Sequence, residues 1–176
     1  ADLFDDIFDE NVFDVLICTG VLHHTADPRR GFENILRYLK KDGYIIVGLY
    51  NKIGRIRTNI RQFIYKYLNR GLAKFLDPYL RSINIKDVEK RIAWIKDQYE
   101  HPIESSHSFD ELLDWFNNNK VKFINVFPNE LLDTENKDVF ENISKNDKLE
   151  RVMQQILMLF STTGGEGGLF VMVGKK

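Results

Sequence analysis

The chain has little cysteine and proline, no long apolar run and almost no net charge. Its 176 residues include one cysteine and four prolines, and the formal net charge is -1 at pH 7. The single cysteine, Cys18, excludes a framework of intramolecular disulfides and fits a reducing compartment. No apolar run approaches the roughly 18 residues of a membrane-spanning helix, and the acidic start is unlike a signal peptide. We therefore expect a cytoplasmic protein. Its net charge is too small to create an overall electrostatic attraction to nucleic acid or membrane.

The composition is that of a folded domain. Hydrophobic residues make up 43% of the sequence and charged residues 29%, which is typical of soluble globular proteins. A chain of this length can bury one core of ordinary size. We expect one domain over residues 1–176, with residues 52–107 as a helical insertion within it.

The first third of the sequence alternates between strand and helix patterns. Residues 12–18 are almost continuously apolar, as in a strand buried on both faces of a parallel sheet. Asp27 and Pro28 suit the N-cap and first position of a helix, and apolar residues follow at helical spacing: Phe32, Ile35, Leu36 and Leu39. A turn is predicted at 41–43 and a second strand at 44–50. Strand, helix and strand of this length form a right-handed parallel crossover, so the predicted class is α/β.

Residues 52–76 contain basic residues and no acidic one. The basic residues are Lys52, Arg55, Arg57, Arg61, Lys66, Arg70 and Lys74. Apolar residues recur among them at spacings of three and four, which predicts an amphipathic helix weakened near Gly71. The simplest interpretation is a basic solvated face over an apolar stripe that packs on the core. The alternative is that the helix binds an anionic partner.

A helix at 88–98 is followed by a loop, residues 99–107, that is rich in histidine and glutamate. His101, Glu104 and His107 recur every third residue, so their side chains could converge. They either form a hydrogen-bond network that pins the loop or contact a substrate. Ser108 then begins a short helix with Glu111 placed for a capping box.

The last part of the sequence returns to strands. Residues 121–127 are rich in β-forming residues, and 169–173 form a closing strand. Between them lies a helix whose predicted apolar stripe is Leu149, Val152, Met153, Ile156, Leu157 and Phe160.

The segments VLHHTADP at 21–28 and DGYIIVGLYN at 42–51 together resemble class I S-adenosylmethionine-dependent methyltransferases. The resemblance implies a partial Rossmann-like fold: a mostly parallel sheet that ends in an antiparallel hairpin, here 123–127 with 169–174. It implies S-adenosyl-L-methionine as cofactor and makes the 52–107 insertion a lid over the acceptor. The family's glycine-rich cofactor loop is not found in these residues, so we expect the chain to be the C-terminal part of a longer enzyme.

The same resemblance assigns cofactor-binding residues. Asp2 and Leu3 resemble the end of the family's third strand, near the adenine. The loop beneath the cofactor's methionine and ribose is represented by Thr19, Gly20, Val21 and His24.

The predicted function is methyl transfer from S-adenosylmethionine to a small-molecule acceptor. Candidate substrate contacts are Tyr50, Asn51, Tyr99, His101 and Glu104. If the acceptor is a hydroxyl, a base is useful, and the candidates are His24, His101 and His107. We expect no metal at the adjacent His23 and His24, because zinc sites need three or four convergent ligands.

Two other functions remain open at this point. The chain could be a non-catalytic, methyltransferase-like interaction module, or an RNA-modifying methyltransferase that uses the basic helix 52–76. With the family's first strands missing, strand 12–18 would lie at a sheet edge. Unpaired backbone groups on such an edge invite another strand, so we expect a homodimer joined there.

Overall fold

A computed structural model describes residues 3–128, 139–140, 148–160 and 168–176. Four strands form one sheet in the order β1-β2-β4-β3. They are β1 (Phe13–Thr19), β2 (Leu39–Tyr50), β3 (Lys122–Phe127) and β4 (Leu169–Lys175). β1 is parallel to β2, whereas β4 is antiparallel to both of its neighbours. The α/β class, the parallel crossover and the closing antiparallel hairpin are confirmed, and the sheet over the described residues is mixed.

The helices are numbered in chain order as α1 (Pro28–Arg37), α2 (Ile56–Phe63), α3 (Arg70–Leu76), α4 (Pro78–Ser82), α5 (Val88–Tyr99), α6 (Phe109–Asn118) and α7 (Lys148–Leu157). A 3-10 turn (Leu22–His24) follows β1, and a π-helical turn (Ile64–Leu68) follows α2. Within the described part of the chain, no helix has the length and apolar character that crossing a membrane requires.

Two helix starts are formed by the predicted caps. The Asp27 carboxylate accepts a hydrogen bond from the Arg30 amide at 3.0 Å, and Pro28 occupies the first turn of α1. Ser108 and Glu111 form the reciprocal capping box of α6. Both caps satisfy backbone N–H groups that have no partner inside the helix, so these two boundaries are set locally by the sequence.

The core lies between the sheet and the pair of helices α1 and α6. Phe32 of α1 stacks on Phe116 of α6, with ring centroids 5.7 Å apart. The inward residues of β2 complete this layer: Leu39, Ile45, Val47 and Leu49. The helix that joins β1 to β2 therefore packs where a crossover helix should, and it holds the carboxyl ends of both strands in place.

β1 is an edge strand with one covered face, which corrects the prediction that it is buried on both faces. Leu16 and Cys18 point toward the core, but Val15 is 44% exposed and Ile17 is 69% exposed. The physical reason is that the core packs against only one face of β1, the face of Leu16 and Cys18. Separately, β1 is an edge strand, since it pairs with β2 on one side and has no second neighbour among the described strands.

The predicted turn at 41–43 is a bulge inside β2. Phe13 lies opposite Leu39, yet Val15 lies opposite Tyr44, so extra residues of β2 loop out between the two pairs. Asp42 has a φ of 65°. Its amide donates to the Lys176 carbonyl at 2.9 Å, which keeps the bulge within the ladder.

The predicted amphipathic helix at 52–76 does not turn its apolar stripe toward the core. Most of its large apolar residues are exposed, whereas Ile53 and Ile64 are partly buried and Tyr65 and Ala73 are buried. The chain breaks at Asn69, where φ is -149° and the side chain caps α3, and not at Gly71. Arg55, predicted on the basic outer face, is completely buried.

The apolar stripe predicted for the helix at 149–160 is likewise wrong. Leu149 is 68% exposed and Phe160 is 77% exposed, while Gln154 and Gln155 are buried. The physical reason is hydrogen bonding: the side-chain oxygen of Gln155 (Oε1) accepts from the Asn51 side-chain amide at 2.8 Å. A buried amide with partners fixes the rotation of α7 against the end of β2.

Candidate functional site

The parallel strands β1 and β2 end at the same edge of the sheet, and ligands of open α/β folds bind at such an edge. Thr19, Gly20 and Val21 follow β1 and are exposed to solvent. Gly20 has a φ of 74° and nothing within 4 Å of the position of a Cβ atom. The predicted cofactor loop therefore offers open backbone to a ligand.

The loop after α5 returns to this edge and is bonded to both strand ends. The Ser105 amide donates to the His23 carbonyl at 2.8 Å. The His107 amide donates to the Tyr50 carbonyl at 2.7 Å, and the Lys52 amide donates to the His107 carbonyl at 3.0 Å. As a result, all four histidines of the sequence lie at one end of the sheet.

The rings of three of these histidines and of Tyr50 form a series of close contacts, called the ring stack here, in which the His23–His24 contact is edge-on. The His23 ring lies 4.0 Å from the Tyr50 ring and 4.4 Å from the His24 ring, measured between centroids. The His24 ring lies 3.9 Å from the His101 ring. Nδ1 of His24 and Nδ1 of His101 both approach the Ile103 carbonyl, at 3.0 and 2.6 Å. A carbonyl can only accept, so a proton on Nδ1 satisfies both contacts. The Ile103 amide also approaches Nδ1 of His101, at 3.4 Å, but the 2.6 Å contact with the carbonyl is the shorter and therefore the stronger of the two.

His23 is the buried member of the stack. It has no exposed surface, and neither ring nitrogen has a hydrogen-bond partner among the described residues. Burial, followed by the nearby His24 and the Arg55 guanidinium, lowers the pKa of His23 to about 3. The ring is therefore neutral near pH 7.

His107 is oriented by groups on both sides of its ring. Nδ1 lies 2.8 Å from Oε1 of Glu111, and Nε2 lies 3.0 Å from the Ser105 hydroxyl. Burial by itself raises the pKa of Glu111, but hydrogen bonds from Lys52 and His107 outweigh it and lower the pKa. The charged carboxylate holds the proton on Nδ1 and leaves Nε2 as the acceptor.

Arg55 is the charged centre of the site. Its guanidinium lies 3.7 Å from the centre of the Tyr50 ring. It donates to both carboxylate oxygens of Glu104, at 3.1 and 2.7 Å, and to the Gln98 side-chain oxygen at 2.8 Å. This bidentate pair joins the start of the insertion to its end.

Asn51 and Tyr99, both predicted substrate contacts, are engaged inside the protein. The Asn51 side-chain oxygen accepts from the Gly54 amide at 3.0 Å, and its NH2 group donates to Gln155. The Tyr99 hydroxyl donates to Asp77 at 2.5 Å, and its ring stacks on Tyr65. Tyr99 thus contacts other parts of the insertion, whereas Tyr50, His101 and Glu104 lie in or beside the ring stack.

The two other predicted cofactor-binding residues, Asp2 and Leu3, lie in the sequence before β1. Asp2 lies outside the described residues. Leu3 packs against the core, and its carbonyl accepts from the Asn34 side chain at 2.7 Å.

Sequence reasoning missed several residues that complete the site: Arg55, Gln98, Ser105, Glu111 and Gln155. Arg55 is one of seven basic residues spread over positions 52–74, and nothing in its immediate sequence distinguishes it as a buried residue. Glu111 was recognised only as a helix cap, although a capping carboxylate beside a histidine four residues earlier was a usable signal. No group of three or more potential ligand side chains in the described ranges could hold a metal ion.

Comparison with known proteins identifies the first part of the chain. Residues 1–47 match the family model of a methyltransferase domain. These residues include β1, the exposed loop after it, α1 and most of β2.

Solved structures extend the likeness to the whole fold. PKMT2 from Rickettsia typhi, in complex with AdoHcy, has 13% identity and a TM-score of 0.60, and the match covers 98% of this chain and 37% of that one. A SAM-dependent methyltransferase from Methanosarcina mazei has 12% identity and a TM-score of 0.50, covering 100% of this chain and 65% of that one. Another from Thermotoga maritima has 16% identity and a TM-score of 0.44, covering 100% and 62%.

The chain thus spans less than two thirds of the length of these three proteins. At such identities the likeness shows the fold alone. The resemblance seen in the sequence is confirmed: the chain has the α/β fold of class I S-adenosylmethionine-dependent methyltransferases, and its first 47 residues match a methyltransferase domain.

Proposed function

We propose that this chain is part of an enzyme that transfers a methyl group from S-adenosylmethionine to a small-molecule acceptor. One observation carries the proposal: the matched residues 1–47 include the exposed loop after β1, and this loop adjoins a cluster of oriented histidines. PKMT2, which shares the fold, was solved with AdoHcy. AdoHcy is what remains of S-adenosylmethionine once the methyl group has left.

The loop after β1 fits a cofactor. Thr19, Gly20 and Val21 are exposed, and the open space above Gly20 would admit a ligand close to the backbone. Bound there, S-adenosylmethionine would supply an activated methyl group on a sulfonium. The role of the chain is then to align the acceptor and exclude water. His24 lies beside the same loop, where it is a candidate contact for cofactor or acceptor.

The histidines could accept the proton of an acceptor. In His24 and His101, Nδ1 is already engaged with the Ile103 carbonyl, so Nε2 is the atom that remains to take a proton. In His107, Nε2 is also engaged, with the Ser105 hydroxyl, which an acceptor would have to displace. His101 is exposed and His24 is partly exposed, so these two are accessible. His107 is buried and better oriented, because Glu111 holds its other nitrogen.

The insertion at 52–107 acts as the lid in this proposal. Its two ends are clamped together by the Arg55–Glu104 pair, and its last residues are bonded to the ends of β1 and β2. Glu104 then borders the acceptor, whereas the buried Tyr50 ring packs against His23 and Arg55 and positions them. Asn51 holds the turn that starts the lid.

The experiment is equilibrium titration of S-adenosylmethionine into the whole enzyme of which this chain is proposed to be part. The 176 residues by themselves should bind it poorly or not at all, because the family's glycine-rich cofactor loop is not found among them. For the whole enzyme we expect saturable binding that weakens at least about ten-fold in Gly20→Val, because a β-branched residue is strained at positive φ and would fill the open space. The matched control is Ala26→Val, an exposed position on the same loop, which should bind like the native protein. Thermal unfolding of both variants checks that they fold.

Two outcomes would overturn the proposal. A folded whole protein that binds no S-adenosylmethionine would be an interaction module with a methyltransferase-like fold. Equal weakening in both variants would mean that the ligand is not bound at Gly20.

A further inference from the structure

The outer surface of α2, the π-helical turn and α3 carries an unusual number of exposed apolar side chains. They are Ile56, Ile60, Phe63, Tyr67, Leu68, Leu72, Phe75 and Leu76, and each is 42% to 70% exposed. We call these eight residues the apolar helix face. Four of them, at positions 56, 60, 63 and 67, recur at spacings of four, three and four, which places them along one side of the helix. The other four lie at the end of the π-helical turn and in α3, on either side of the break at Asn69. Eight exposed apolar residues within one segment differ from isolated exposed residues, which are normal on protein surfaces.

Only cations border the apolar helix face within its own segment. No acidic residue occurs between positions 52 and 76. Lys66, Arg70 and Lys74 form no ion pair with a carboxylate in the part of the chain that the structure describes. Arg57 and Arg61 are directed elsewhere: Arg57 donates to the Leu159 carbonyl, and Arg61 donates to the Thr58 hydroxyl near Asp77. The Lys66 amine lies 5.3 Å from the Tyr67 ring, so the charge and the apolar surface are adjacent.

We propose that the apolar helix face docks on the surface of an anionic lipid bilayer, lying in the plane of the interface. An amphipathic helix with lysine and arginine beside a strongly apolar face is the pattern of interfacial membrane helices. Long basic side chains extend from such a helix to the headgroups while their stems cover apolar surface. Charge complementarity selects anionic lipid, since Lys66 lies against the face, Arg70 and Lys74 lie in the same segment, and no carboxylate occurs between positions 52 and 76.

Lipid fits this surface better than RNA does. RNA contacts need cations for phosphates and aromatic rings for bases. Five of the eight residues in the apolar helix face are aliphatic and can do neither. Hydrocarbon is the environment that isoleucine and leucine side chains favour, and their burial would be the main gain in binding.

Docking in this way would place the candidate site close to the bilayer. Ile56, the first residue of the face, follows directly after the buried Arg55 of the site. The inference does not depend on methyl transfer, because it uses residues that lie outside the site.

The experiment is co-sedimentation of the intact protein with vesicles of phosphatidylcholine alone or mixed with phosphatidylglycerol. We expect binding to the mixed vesicles that weakens as salt is added. The double variant Phe63→Ser with Phe75→Ser should bind at least about ten-fold more weakly. Replacing Lys66 and Arg70 by glutamine should weaken binding to the mixed vesicles by about five-fold for each removed charge.

Each variant has a matched control on another surface. Ile7→Ser removes an apolar residue of similar exposure from the loop before β1, and Lys41→Gln with Lys122→Gln removes two exposed charges. Both controls should bind like the native protein. All of these residues are on the surface, so circular dichroism should show native folding throughout.

Three results would overturn the proposal. The first is equal sedimentation with both kinds of vesicle or with neither. The second is a gel shift with single-stranded RNA that is lost in the serine variant, without vesicle binding. The third is a change in sedimentation of the lipid-free serine variant from dimer to monomer, which would show that a second copy covers the face.

Discussion

At the scale of single residues, the site combines a neutral ring with a buried ion pair. His23 has no exposed surface and stacks on Tyr50, while Arg55 lies on the same tyrosine and is paired with Glu104. A second cation at His23 would face the Arg55 guanidinium and His24 without any acceptor of its own in the described residues. The ring is therefore held neutral by its surroundings.

This arrangement gives the protein a defined dependence of stability on pH. An unfolded histidine titrates near pH 6.5, whereas the pKa of His23 is about 3. Between these values the unfolded chain binds a proton that the folded protein does not bind. The free energy of unfolding therefore falls as the pH falls below about 6.5, by about 2 kcal/mol between about pH 7 and pH 5. His23→Phe should lack this part of the loss.

Urea unfolding of the native protein and of His23→Phe at both pH values measures the difference. The other titrating groups are common to both proteins and cancel in the comparison. An identical pH dependence of the two unfolding free energies would contradict the prediction.

The residues of the site were only partly predictable from the sequence. His24, His101, Glu104 and His107 do converge near the end of β2, because strand ends and loop ends meet at one edge of the sheet. Arg55 could not be found, since its burial depends on Glu104, which lies 49 positions later. Sequence spacing has no signal for such a distant partner. The roles assigned to these side chains stay predictions.

At the scale of elements, α7 shows a buried amide deciding which side of a helix faces inward. Gln155 accepts from the Asn51 side chain at 2.8 Å and from the Phe109 amide at 3.1 Å. The turn after β2 and the start of α6 are therefore joined through α7. An unpaired buried donor costs about 1 to 3 kcal/mol, which is enough to outweigh the burial of one apolar side chain of the stripe.

Removing this amide should destabilise the protein more than removing an apolar neighbour. We expect Gln155→Ala to lower the free energy of unfolding by about 3 kcal/mol, because two buried donors lose an acceptor. Ile156→Ala is the matched control: it is 43% exposed, and it should cost less than about 1 kcal/mol. Urea denaturation gives both values, and equal losses would show that Gln155 does not fix the helix.

Elements were predictable where the signal is local. The N-cap at Asp27 and the capping box at Ser108 gave helix starts that the structure confirms. Apolar periodicity located the helices, but for α2, α3 and α7 it did not show which side of the helix faces the core. In α7 a polar partner, and not hydrophobic burial, fixes the rotation. Periodicity says which residues share a side of a helix; it does not say which side is covered.

At the scale of the whole molecule, β1 leaves one edge of the sheet open. Ile17 is 69% exposed on this edge, and Val15 beside it is 44% exposed. The fold class and the crossover follow from the sequence, because a buried strand, a capped helix and a second strand allow few arrangements. What covers this edge depends on other chains or other parts of a longer protein, which local patterns do not specify.

We expect the protein to form a homodimer through the β1 edge. Its 20.7 kDa mass should appear doubled in sedimentation at micromolar concentration. Ile17→Lys should shift the protein to monomer, since lysine on an edge strand opposes strand addition. Ile85→Lys is the control, because Ile85 is 80% exposed elsewhere and should leave the dimer intact. A monomeric native protein, or the same shift in both variants, would contradict the prediction.

The strand order has a consequence for how the protein is made. β4 is the last described strand along the chain, yet it lies between β2 and β3. Until residues 169–175 have been synthesised, β4 is absent, so β2 and β3 each have an edge with unpaired backbone groups. Tyr50 pairs with Leu169, so the sheet is closed by contacts between residues far apart in sequence, which form slowly. The nascent chain is thus exposed to mispairing until residues 169–175 have been synthesised, when β4 joins the two parts.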